Sequence, residues 1–172
     1  MRASFRTALT GLAAGAALAV SLPLAASAAE IQEVTFEGAS KFQDAQFRTD
    51  TVDIFLGPKD SRADKLEYMI KMKEGGVLSY AVISPQAEEQ DLYQEMHGHD
   101  ATRVTFYKKA SGNTHHGSVV APFEGIHGWY FENRAANPLI VRIRMSGFYE
   151  LIEPGESGNE VGFEPGVPPF VQ

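Results

Sequence analysis

The chain has 172 residues, no cysteine, and 22 acidic against 15 basic side chains, for a formal net charge of −7. Without cysteine there are no disulfides and no thiolate chemistry, so stability must come from packing. An acidic surface disfavours nucleic-acid phosphates and anionic lipid headgroups, and leaves cations or basic protein surfaces as its natural partners.

In chain order, Arg2 and Arg6 flank the start of an uncharged Ala/Leu/Gly/Val segment from Ala8 to Val20, and Pro23 precedes the small-residue site Ala26-Ser27-Ala28. The pattern predicts a secretory signal peptide over residues 1–28 and a periplasmic or secreted mature protein. A retained membrane anchor is the alternative, because residues 7–29 carry no charge and about 20 apolar residues suffice to span a bilayer. The Ala/Gly-rich composition and Pro23 favour cleavage. Cleavage would remove two basic and no acidic residues, leaving 13 against 22 and a net charge of −9.

Beyond the leader, Ile31 to Phe36 and Thr51 to Leu56 alternate as short strands. Leu66, Tyr68, Ile70 and Met72 fall on one face at period two, which predicts a strand rather than a helix. Glu74-Gly75-Gly76 then turns the chain into Val77 to Ser84, so this pair reads as a hairpin. Further strands are expected at Asp91 to Met96, Thr102 to Lys108 and Ser118 to Pro122. Gly125 to Glu150 reads as another hairpin, two apolar arms around Asn133-Arg134-Ala135-Ala136-Asn137-Pro138. Leu139, Val141, Ile143 and Met145 alternate with Ile140, Arg142, Arg144 and Ser146, as a sheet with one buried face requires. Residues 153–172 are rich in Pro, Gly and Glu, and predict an irregular tail pinned by its aromatics.

These short strands without intervening helices predict one all-β domain over residues 29–152, an antiparallel β-sandwich or jelly roll. Alternation sends Trp129 and Phe131 to one face and Tyr130 to the other; core packing, with Trp129 against the Leu139, Val141, Ile143 row, is preferred to a ligand-stacking role. The stretches LEYMIKMKEGGVLSYAVIS, LYQEMHGHD and SVVAPFEGIHGWYFENRAANPLIVRIRMSGFYE together resemble bacterial exported proteins of the transmembrane anchor type and, more distantly, the GOLD domain of p24 cargo receptors. The resemblance covers roughly residues 50–150 and implies a GOLD-like β-sandwich without an established catalytic site. It brings no functional residues with it.

Histidine supplies the polar constellation to weigh. His97 and His99 lie in Glu95-Met96-His97-Gly98-His99-Asp100, His115 and His116 in a Gly-flanked segment read as a loop, and His127 at the start of the aromatic strand. An extended H-x-H places both imidazoles on one side, about 6 to 7 Å apart. Completed by His127, with Glu95 or Asp100 in support, these residues form a candidate zinc or copper site, and the Met96 sulfur would suit copper(I). The competing reading has His97 and His127 holding loops by hydrogen bonds, with His115 and His116 as decoys. No G-x-S-x-G, H-E-x-x-H or P-loop occurs, and Glu88, Glu89 and Asp91 read as a solvated charge run. The functional expectation is therefore a non-enzymatic envelope accessory domain that binds a protein partner; the alternative is a periplasmic metal-binding protein.

Overall fold

A computed structural model of the chain describes residues 42–166. The leader, the strand expected at Ile31 to Phe36 and the last six residues lie outside the described residues. The ordered elements are nine strands: β1 (Phe47–Leu56), β2 (Lys65–Met72), β3 (Val77–Ile83), β4 (Leu92–His99), β5 (Val104–Ser111), β6 (Thr114–Val120), β7 (Gly125–Asn133), β8 (Leu139–Phe148) and the short β9 (Glu150–Leu151). Among the described residues no helix is long and apolar enough to cross a membrane.

The strands form two antiparallel sheets, ordered β1-β8-β3-β6 and β5-β4-β7-β2-β9. Successive strands mostly alternate between the sheets, which is the jelly-roll form of the β-sandwich, with β9 added beyond β2. Period-two alternation builds the core between the sheets. Val52, Ile54, Leu56, Leu78, Val82, Leu139, Val141, Ile143 and Met145 face Tyr68, Ile70, Met72, Leu92, Met96, Trp129 and Phe131. Trp129 is fully buried and meets Tyr80 of the opposite sheet edge-to-face, with ring centroids 5.1 Å apart. The core position expected for Trp129 is therefore its actual one.

Two expected hairpins are instead corners. β7 pairs with β2 and β4, while β8 pairs with β1 and β3. Likewise β2 and β3 lie in different sheets. Alternation states that each arm has a buried face, a condition met equally by pairing side by side and by facing across a core. The connections decide between these outcomes. Asn133 donates through Nδ2 to the carbonyls of Gly57 and Asn137, both at 2.8 Å, and accepts from the Ala135 N–H, which ties the turn to the β1–β2 loop rather than to its own arm. Gly75, at φ 76°, donates to the Ala121 carbonyl between β6 and β7, so that turn also docks away from its own strands. Among the described residues, β4 and β5 alone form a hairpin between consecutive strands.

The segment after β9 is irregular, as expected, but an asparagine anchors it as much as an aromatic does. Buried Asn159 donates to the Ile152 and Phe163 carbonyls and accepts from the Phe163 N–H, while Phe163 packs against the core. The Met69 N–H donates to the Gly158 carbonyl, which continues the contact of β9 along the edge of β2.

Candidate metal centre

His97 and His99 both project from the outer face of β4, where alternation places them, and their rings stack with centroids 5.6 Å apart and planes 10° from parallel. The third member of the group is Glu67 on β2, not a histidine. Ligand atoms of Glu67, His97 and His99 lie within 4.8 Å of one another. β7 runs between β2 and β4, and the residue it presents to His97 is Gly128. With no side chain in the way, the His97 ring reaches across β7 to Glu67, Nε2 to Oε1 at 3.4 Å. Gly128 is also fixed by its other neighbour, since a Cβ there would press into the β2 backbone at Tyr68 and Met69.

The protonation chemistry of His97 is unusual for a buried imidazole. Its Nδ1 lies 3.3 Å from the Glu95 carbonyl, which can only accept, so Nδ1 donates. In the neutral ring Nε2 would then present a lone pair to the Glu67 carboxylate, setting two acceptors face to face. A proton between the two atoms removes that conflict, and so would a metal ion in its place. Burial pushes the His97 pKa down, but the Glu67 hydrogen bond, the Glu95 carbonyl and the charges of both carboxylates raise it, and the net direction is upward. The bond from His97 correspondingly holds Glu67 below the usual carboxylate range. His97 is only 3% exposed, whereas the Glu67 side chain is 42% exposed, so the group opens to solvent on the Glu67 side.

His127 does not join the group. It faces the core, is fully buried, and both nitrogens are engaged: Nε2 donates to the Phe123 carbonyl at 3.1 Å, and Nδ1 accepts from the Tyr107 hydroxyl at 2.7 Å. Burial drives its pKa down, against the smaller opposing effect of the Phe123 carbonyl. A register shift between Met96 and His97 leaves Tyr107 as an extra residue on β5; such a bulge re-aims a side chain, and here its hydroxyl meets His127. Gly98, paired with His127, clears the space, because a Cβ there would collide with the His127 ring and the Tyr107 hydroxyl.

The supporting residues are committed elsewhere. Glu95 accepts from the Tyr93 hydroxyl at 2.6 Å and pairs with Lys109 at 2.9 Å. Asp100 caps the β4–β5 turn, accepting from Thr102 and Arg103, contacts that pull its pKa down to about 2. Met96 lies in the core. His115 and His116 sit on β6 of the other sheet rather than on a loop; His115 donates to the Gly112 carbonyl at 3.2 Å, and His116 is exposed.

Fold and site together define a jelly-roll β-sandwich with a His/His/Glu donor group on the outer face of its five-stranded sheet. No protein-family model matches the chain, and no curated protein matches it.

Proposed function

We propose that this chain is a non-enzymatic binding protein for a divalent transition-metal ion, zinc(II) or copper(II), held by Glu67, His97 and His99. The observation that carries the reading is the His97–Glu67 pair, two potential ligand atoms 3.4 Å apart with the histidine's other nitrogen against a backbone carbonyl. Ligating histidines characteristically use their second ring nitrogen in this way, which fixes the tautomer and the ring's aim. Donors on a tetrahedron of roughly 2.0 to 2.1 Å bonds stand about 3.3 Å apart, so this pair is already at ligand spacing. A rotation of the His99 ring brings in the third donor. The leader expected over residues 1–28 would carry the site into the bacterial envelope, in keeping with the resemblance to exported anchor-type proteins.

Thermal unfolding with zinc(II) and with copper(II) tests the proposal, because an ion that binds only the folded state adds about 2.7 kcal/mol at a hundred times its Kd. The shift should be present in the wild type and in a His115→Ala/His116→Ala control, and absent from His97→Ala/His99→Ala. An equal shift in all three proteins would refute the site. A shift in none would leave the protein-partner reading, which draws on Val104 and Phe106, 57% and 50% exposed on β5 beside the histidines.

A further inference from the structure

Three donors leave a four-coordinate ion one ligand short, and one methionine shares the outer face of the sheet with the group. Of the described methionines, Met72, Met96 and Met145 belong to the core. Met69 is as deeply buried but stands outside that cluster, on the face of β2 opposite Tyr68 and Ile70 and two residues from Glu67 on the same face. Its side chain has a readable direction. A Cβ built on Gly158 would stand 2.9 Å from Met69 Cβ and 3.2 Å from its Cγ, whereas one built on Gly128 would stand 3.0 Å from its Sδ. The side chain therefore runs from the C-terminal segment toward β7 and places its sulfur over Gly128. Gly128 is also the residue paired with His97, whose ring crosses β7 toward Glu67. Thioether and imidazole thus approach the same glycine from opposite sides.

We infer that the Met69 thioether is a fourth, soft donor and that the site is built for copper, with copper(I) among the states it holds. The inference rests on the metal-binding reading of Glu67, His97 and His99. Two imidazoles and a carboxylate suit zinc(II) and copper(II) about equally well, whereas thioether sulfur favours copper(I) and adds little for zinc. A leucine would cover Gly128 and Gly158 with similar volume but without the sulfur.

The test is anaerobic copper(I) binding measured against bicinchoninate, with zinc(II) titrated in parallel, on the purified wild type and on Met69→Leu, whose similar volume preserves the packing. The variant should lose copper(I) affinity by about tenfold or more while zinc(II) affinity stays within about threefold. Equal copper(I) affinity in the two proteins would overturn the Met69 assignment, and so would an equal loss of both ions, which marks a packing role. A wild type that binds neither ion would overturn the metal-binding reading itself and this inference with it. Should the variant fail to fold, X-ray absorption of the copper(I)-loaded wild type decides. A sulfur scatterer in the first shell supports the assignment, and a shell of nitrogen and oxygen alone overturns it.

Discussion

His97 and His127 lie on neighbouring strands one register step apart, each opposite a glycine, His97 facing Gly128 and Gly98 facing His127. They are both buried, yet they have opposite chemistry. His127 points inward, where a hydroxyl donor and a carbonyl acceptor satisfy the neutral ring completely. His97 points outward, where a carbonyl and a carboxylate surround it with acceptors and call for a cation. The identity of the partners, not the degree of burial, separates a histidine whose hydrogen bonds are complete from one surrounded by acceptors.

Truncating each ring should separate the two roles with the largest effects. His127→Ala leaves a cavity and strands the Phe123 carbonyl and Tyr107 hydroxyl, and should cost about 2 to 4 kcal/mol in urea unfolding while zinc(II) affinity is retained. His97→Ala should give the reverse, a smaller stability loss in metal-free protein and loss of the metal-induced shift. If His127→Ala also abolished metal binding, the two faces of the sheet would not be independent.

The paired glycines offer a second way to break the comparison. Gly98→Ala overfills the His127 side and should cost about 1 to 3 kcal/mol. Gly128→Ala meets backbone rather than a ring that can shift, so it should lie at or above the top of that range, and it adds a methyl to the position that His97 crosses to reach Glu67. Melting temperatures measured with and without zinc(II) should therefore show a metal-induced shift for the first variant and a reduced one for the second.

The pH dependences of the two histidines have opposite signs. The folded pKa of His127 lies below the ordinary 6.5, so its contribution to stability is complete above pH 6.5 and is lost as pH falls through the depressed folded value. The folded pKa of His97 lies above 6.5, so its contribution is complete below pH 6.5 and is lost as pH rises through that raised value. Glu67, Glu95 and His99 are the charged or titratable neighbours of His97 in this balance. In metal-free protein, His97→Gln should remove the alkaline-side loss and leave the acid-side loss, each with a slope of at most about 1.4 kcal/mol per pH unit. Urea unfolding from pH 5 to 8 measures both, and an unchanged alkaline limb in the variant would contradict the His97 assignment.

Much of the fold was legible in the sequence because period two is a local signal. Each of β1 to β8 overlaps an expected strand, although β6 begins at Thr114 within a stretch read as a loop, and the faces of Trp129, Phe131 and the Leu139 to Met145 row were right. Pairing was not legible, because alternation carries no information about which strand lies alongside. Both misread hairpins have this cause, and so does the replacement of His127 by Glu67. Seen as the hairpin partner of β3, β2 had no reason to approach β4, so a lone glutamate on its polar face gave no signal. The H-x-H spacing did place His97 and His99 on one face, because that needs only one strand. One further clue was present, the glycine at 128, which could have marked a place where side chains cross.

Tyr107→Phe is the mildest probe of the inward histidine. The substitution removes one hydroxyl and keeps the ring, which stacks on His127 at a centroid distance of 5.9 Å. His127 Nδ1 would then be a buried acceptor without a donor, a loss of about 1 to 3 kcal/mol. The same change should leave metal affinity untouched, because Tyr107 meets His127 on the core side of the sheet while His97, its neighbour across the bulge, faces outward. Parallel urea and zinc(II) titrations separate these two claims. A change in zinc(II) affinity with little loss of stability would mean that the bulge at Tyr107 serves the outer face by aiming His97, and that its hydroxyl contributes little to the core.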